Sequence, residues 1–373
     1  MPSQQDTSVK PVVVPFEAGV PPTPLRRLGH HEVLERWHAV DRSAHAPHLV
    51  AVPGEDAADW TAAALVTARP QTAYLKIVDA VGDVPAAVAA VVAHARERGL
   101  AQVKWEGWTA RPEDAAAAGF APSAPPLTRP DGTEGPATGY VRWLHDTTLS
   151  EPPYYRQTTH FTCGAVTALV AQTHAGALAR EEFDRRAELT LWRDATNFPV
   201  CEPVGLGVAV RRAWPSSPVT VHLDVDRPVL IDHHPESEQE WRAHLQRMSR
   251  ADAERIGVPI SPRRLATAEV RSTIGRGEQV LLLVSLAGMQ GFDVPHWVLC
   301  HGAVPGAVVI EDPWANAATG DTWVDAHLLP VPDAALDAMS TVSADGFSGA
   351  VTIGRPQRGG AASAGSEGHG ARP

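Results

Sequence analysis

The residues best placed to do chemistry gather around one cysteine. In the run Tyr154-Tyr155-Arg156-Gln157-Thr158-Thr159-His160-Phe161-Thr162-Cys163-Gly164-Ala165-Val166, Cys163 falls where apolar positions (Ala165, Val166, Leu169, Val170) take up helical spacing, directly after a threonine suited to an N-cap. A helix N-terminus offers unpaired N–H groups and a positive dipole end, and both favour the nucleophilic thiolate. Gly164 lets a carbonyl approach the backbone closely. Acyl transfer at a thiolate further needs a base, a group that orients the base, and oxyanion donors. His296 opens the apolar run His296-Trp297-Val298-Leu299-Cys300, and Asp312 ends the run that begins at Ala307. If the two runs are antiparallel strands joined by a turn at Val304-Pro305-Gly306, His296 and Asp312 become neighbours. Gln157, in the loop before Cys163, is an uncharged donor suited to an oxyanion.

Gln157 through Gly164, with Pro295-His296-Trp297-Val298 and Asp312-Pro313, resembles the peptidase C39-like family, papain-fold cysteine peptidases whose best-known members trim double-glycine leader peptides. The likeness spans about Glu151 to Trp314, and the 133 residues from Cys163 to His296 lie in the range at which papain-type enzymes place the histidine after the cysteine. Stand-alone bacterial members, some with an acetyltransferase-like N-terminal region, are similar in a further element, Cys-x-Pro-x-Gly-Leu, here Cys201 to Leu206. The resemblance implies Cys163 as nucleophile, His296 as general base and acid, Asp312 as its orienter and Gln157 as oxyanion residue. It implies a peptide or amide substrate and an acyl-enzyme that water hydrolyses. An amine intercepting that thioester would make the same site an acyltransferase. A reading from another class, a non-catalytic peptide-binding protein on the same scaffold, is separated from both by thiol reactivity.

Other residues carry weaker signals. Cys201 is a rival nucleophile disfavoured by Glu202, since an adjacent carboxylate raises a thiol pKa; Cys300, inside an apolar run, reads as core. His160, Gly164, Trp297 and Trp314 are candidate pocket residues, with His160 alternatively a second base and the tryptophans alternatively core. The pairs His30-His31 and His233-His234 lack zinc-site spacing, so neither a metal nor another cofactor is expected. From Gly277 to Gly354 there is no Lys or Arg but nine carboxylates, Glu278 to Asp345. Along a cleft they would favour a cationic substrate; the alternative is an ordinary solvated surface. Gly359-Gly360-Ala361 is formally a double-glycine site.

The expected fold class is α+β: a papain-like unit with helices first and an antiparallel sheet later, at 149–354, preceded at 26–148 by a GNAT-like α/β unit. In the first unit strands (Ala73 to Val81, Gln102 to Glu106) flank an amphipathic helix, Val84 to Gly99, in an order resembling the later half of a GNAT acyltransferase. The loop read as Asp79 to Pro85 has two acids and no cation, so no coenzyme A is expected there. In the second unit helices begin at Cys163 and Val204, and strands span Val219 to Leu223, Gln279 to Ser285, His296 to Cys300 and Ala307 to Glu311. Residues 1–25 read as an unstructured lead-in and 355–373 as a disordered Gly/Ala/Ser-rich tail.

Composition bounds the function class. The 373 residues are 44% hydrophobic and carry a net charge of −11, which disfavours nucleic-acid and anionic-membrane partners. Three cysteines are too few for a disulfide framework, and residues 1–20 lack the basic and apolar regions of a signal peptide, so a reducing, cytoplasmic setting is expected. Only Lys10, Lys76 and Lys104 are lysines; the other 29 cations are arginine, a bias read as genomic base composition. The sequence carries no signal for an oligomeric state.

Overall fold

The computed structural model describes residues 10–28, 31–56, 59–127, 135–195, 199–232, 234–342 and 346–356. It is a mixed α+β structure built on two seven-stranded sheets. The first comprises β1 (Val12–Pro15), β2 (His48–Pro53), β3 (Trp60–Thr67), β4 (Tyr74–Gly82), β5 (Gln102–Glu106), β6 (Ala121–Pro122) and β7 (Gly139–Trp143), in the order β1-β2-β3-β4-β5-β7-β6. All its pairings are antiparallel except β4 with β5, which the helix Val84–Glu97 connects. Asp83 caps that helix by accepting from Ala86 N at 3.1 Å, and Gly99, at φ +65°, ends it. Val88, Val91 and Val92 bury against β4 and β5, while Phe16, Leu25 and Trp37 fill the opposite face.

The second sheet comprises β8 (Val219–Leu223), β9 (Ile260–Ser261), β10 (Gln279–Ser285), β11 (Pro295–Val304), β12 (Ala307–Glu311), β13 (Leu329–Pro332) and β14 (Gly349–Ile353), ordered β13-β12-β11-β10-β14-β8-β9. The helix Cys163–His174 packs across β10 and β11, with Val166 and Leu169 against Trp297 and Leu299. That helix is buried nearly all round, as expected of its small and apolar residues. Helices Thr267–Gly275 and Asp333–Met339 cover the other face. Among the described residues no helix is long and apolar enough to cross a membrane.

The lead-in expected at 1–25 is partly structured. Val12–Pro15 pairs antiparallel with β2, as a β-branched run beside an open sheet edge favours, and Thr23–Leu28 is helical; residues 1–9 lie outside the described residues. Residues 357–373, with the expected disordered tail and Gly359-Gly360, lie outside them as well. The acidic loop expected from Asp79 to Pro85 is mostly strand, since Asp79–Gly82 belongs to β4 and the buried Asp79 pairs with Arg36 and Thr109.

The two sheets meet through buried charge. The β3–β4 connection inserts into the second unit: Ala73 N donates to Pro330 O at 2.9 Å, and Gln71 occupies the space beside Gly288. Lys76, on β4, reaches Asp325 (2.5 Å) and Glu106 (2.7 Å); Lys104, on β5, donates to the carbonyls of Val324, Asp325 and His327 at 2.8, 3.0 and 2.6 Å. Two of the three lysines thus sit in this seam, a role that base composition did not foretell. Burial, then Arg69 and Lys76, push Lys104 down to about 7 against the pull of Asp325 and Glu311. Of the nine carboxylates in the cation-free stretch, Asp345 lies outside the described residues and the other eight have partners inside the chain. Glu278 pairs with Arg276, Asp293 with Ser285, Glu311 with His327, Asp312 with His296 and Arg69, Asp321 with Arg69, Asp325 with Lys76, Asp333 with Arg271 and Asp337 with Arg264. The missing cations come largely from outside the stretch, and its most buried aspartates form the seat of the N-terminal unit.

Candidate active site

Cys163 is the first residue of its helix and is 6% exposed. Thr162 stands at the N-cap, but its hydroxyl does not cap the helix; it donates to Glu188 Oε1 at 2.5 Å and toward Thr159 O. Glu188, buried on the helix Arg185–Ala195, also accepts from Thr158 N (2.8 Å) and the Tyr155 hydroxyl (3.1 Å). One carboxylate therefore ties down most of the loop that precedes the cysteine. Two backbone N–H groups favour the charged form of the Cys163 thiol, that of Trp297 on β11 and that of Gly164 in the first turn of the helix.

His296 lies near the start of β11 and Asp312 directly follows β12. The hairpin turns through Pro305 and Gly306, with Val304 opposite Ala307 and Gly306 at φ +73°; proline then glycine suit the two central positions of such a turn. A bulge between Cys300 and Gly302 takes up one residue and sets Leu299 opposite Glu311. His296 Nε2 and Asp312 Oδ1 are 2.7 Å apart, and the His296 ring also interacts with the Cys163 thiol. Burial opposes an imidazolium, but Asp312 and then Cys163 outweigh it and raise His296 to about 10. Burial likewise raises the Cys163 thiol; His296, with the two N–H groups, more than offsets it and holds Cys163 below the ordinary thiol value. Both shifts run in the direction of a thiolate–imidazolium pair, with a carboxylate on the imidazole.

Asp312 has further partners. Trp314 N donates to Oδ1 at 2.9 Å, and Arg69 Nη1, from the β3–β4 connection, donates to Oδ2 at 2.6 Å. Burial raises the Asp312 pKa, and His296 followed by Arg69 brings it below the usual carboxylate range. Gln157 is buried; its backbone N–H donates to Pro313 O at 2.8 Å, and its side-chain Nε2 donates one of its two hydrogens to Thr159 O at 2.7 Å.

Cys163, His296 and Asp312 thus come together and Gln157 is held on the same loop system, whereas the weaker pocket candidates scatter. Trp297 is fully buried in the core with Nε1 donating to Cys201 O at 2.9 Å, so it does not line a cleft. A Cβ on Gly164 would meet Cys201 Cβ and Trp297 Cδ1 at 3.0 Å, so its missing side chain serves packing behind Cys163. His160 is exposed, and Trp314 is half-buried, edge-on to Phe292 with ring centroids 5.6 Å apart. Burial, then Cys163 and Glu202, push the Cys201 thiol well up, and burial alone raises Cys300. The Cys201 element is architectural: Glu202 caps the helix Pro203–Ala213 through Val204 N (2.7 Å) and Gly205 N (2.5 Å). Among the described residues no group of three or more His, Cys, Asp or Glu could hold a metal ion. Sequence reading missed Arg69 and Glu188; Arg69 offered no local signal, while Glu188 could be noticed only as an acid on an otherwise amphipathic helix.

The family model described as "Peptidase_C39 like family" matches residues 152–354, the whole segment from the loop before Cys163 to the end of β14. The chain belongs to this family. Among solved structures it is similar to a C39-like peptidase from Bacillus anthracis, at 12% identity and a TM-score of 0.32, covering 57% of this chain and 100% of that one. It is also similar to a GNAT-family acetyltransferase from Desulfovibrio desulfuricans, at 18% identity and a TM-score of 0.22, covering 31% of this chain and 77% of that one. No curated protein matches it.

Proposed function

We propose that this C39-like chain is a cysteine hydrolase that cleaves a peptide or amide bond through an acyl-enzyme. The observation that carries the reading is the double engagement of His296, with Asp312 Oδ1 2.7 Å from Nε2 and the Cys163 thiol acting on the same buried ring. The Cys163 thiolate attacks the carbonyl carbon, and the carbonyl electron pair moves to an oxyanion held by Gln157 and a backbone N–H. As the tetrahedral adduct collapses, imidazolium His296 gives its proton to the leaving amine and becomes the neutral base. It then takes a proton from water, whose oxygen attacks the thioester; the acid product leaves and Cys163 is restored as the thiolate. Asp312 keeps the ring in one orientation throughout. The test is to incubate the protein with activated acyl esters and a peptide-amide library, quench at short times and measure intact mass. An acyl adduct on Cys163 that decays in water, and does not form on Cys163→Ala, is expected. Ester turnover that persists in Cys163→Ala would overturn the reading.

A further inference from the structure

Resting on that reading, we infer that the N-terminal unit completes the catalytic site through Arg69, a positioning residue that fixes Asp312 and the loop around it. Arg69 lies 243 residues from Asp312 in sequence, on the connection between two strands of the other sheet, yet both side chains are fully buried. Its guanidinium is divided among three acceptors. Nη1 donates to Asp312 Oδ2 at 2.6 Å, Nε reaches Asp321 Oδ2 at 3.1 Å, and Nη2 reaches Trp314 O at 3.2 Å. A planar fork does this where a lysine would serve mainly as a point charge. The acceptors bracket Asp312-Pro313-Trp314, and Pro313 O in turn receives Gln157 N. One side chain from the first unit therefore holds the orienting carboxylate directly and the oxyanion residue at one remove.

Arg69 is itself held from its own unit and the seam. Its carbonyl accepts from Thr72 Oγ1 at 2.6 Å and its N–H faces the Tyr74 hydroxyl at 3.3 Å, which donates to Asp325 Oδ1 at 2.7 Å. Asp321 is braced by Gln290 Nε2 at 3.0 Å and lies 3.2 Å from His45 Nδ1. The charged groups acting on Asp312 are His296 and Arg69; Glu311 adjoins it in the chain, Asp321 shares its guanidinium, and the buried Tyr154 is close enough to feel it. Of these only Arg69 and His296 neutralise it. Without Arg69 one carboxylate oxygen loses its charged donor, Asp312 protonates more readily, and the ring it orients is freed at a higher pH.

The experiment follows the iodoacetamide labelling rate of Cys163 against pH in the full-length chain, over the range where circular dichroism shows it folded, for wild type, Arg69→Gln, Arg69→Lys and Lys76→Met. Lys76 is an equally buried seam cation that touches Asp325 and Glu106 but not Asp312. Arg69→Gln is expected to move the acid limb of the profile up by about 1–3 pH units. Arg69→Lys is expected to fall between it and wild type, and Lys76→Met to leave the limb in place. With the activated ester as probe, Arg69→Gln lowers kcat by up to about 100-fold, with KM little changed. A folded Arg69→Gln with the wild-type profile overturns the inference, as does a Lys76→Met profile displaced as far as that of Arg69→Gln. Should glutamine prevent folding, Arg69→Lys carries the decision, an undisplaced limb again overturning it. If wild-type Cys163 labels as an ordinary thiol, the cysteine-hydrolase reading fails first; a low-pKa wild-type thiol with unchanged Arg69 variants removes only the role of Arg69.

Discussion

The Cys163 end of the site and its Asp312 end are built in opposite ways. Cys163 is held by its own neighbourhood: a helix start, the preceding loop and Glu188, only 25 residues further on, with everything inside one unit. Asp312 is held across the molecule, between a hairpin of the second sheet and an arginine from the first. The first arrangement uses backbone N–H groups, Gly164 in the first turn of the helix and Trp297 on β11. The second uses a buried ion pair, which is costly to leave incomplete and so couples the site to the presence of the other unit. Within one constellation, local geometry places Cys163 and tertiary assembly places Asp312.

Substitutions can break this contrast at either end. The largest effect is expected for Cys163→Ala, which should abolish acyl-enzyme formation and cut kcat by on the order of 10^6, read by ester turnover, while melting behaviour stays near wild type. Lys76→Met strikes the seam without touching Asp312 and removes the cation that pairs with the buried Asp325 and Glu106. It should cost about 3–5 kcal/mol in denaturant unfolding while the Cys163 labelling profile is preserved. Glu188→Gln strikes the nucleophile end, weakening three bonds to the loop at 155–162. It should cost about 1.5–3 kcal/mol and slow labelling of Cys163, the reverse pattern of a stability loss that reaches the thiol. The smallest effect is a pH dependence at the seam. Burial lowers the His327 pKa, but Glu311 and Glu151 outweigh it and raise it to about 9. Because the folded value is raised, its contribution is full below the unfolded value of about 6.5 and is lost as pH rises through the folded value. The stability difference between wild type and His327→Gln should therefore shrink across that window.

What the sequence disclosed follows the same division. The helix at Cys163, the hairpin bringing His296 to Asp312, the glycine stop at Gly99 and the strands Gln102–Glu106, Val219–Leu223, Gln279–Ser285 and Ala307–Glu311 all rest on short-range pattern and turn chemistry. Arg69 was invisible because a single arginine before a proline carries no periodicity, and its partners lie more than 240 residues away. β14 was missed because Gly349–Ile353 is short, and it finds its place only between β10 and β8. Gly164 and Trp297 were assigned to a cleft by proximity to catalytic candidates; packing against Cys201 turned both inward. The run of acids after Arg276 looked like a surface field because its counter-ions stand elsewhere in the chain.

The central claim is that Cys163 and His296 rest as a thiolate–imidazolium pair. The direct measurement is the pH dependence of Cys163 alkylation by iodoacetamide, mapped by mass spectrometry, in wild type and His296→Ala. Wild type should reach full labelling rate well below the ordinary thiol value of about 8.5, and His296→Ala should return the midpoint to that value or above it. A wild-type midpoint near about 8.5 that His296→Ala leaves unmoved, or an adduct formed first on Cys201, would contradict the account.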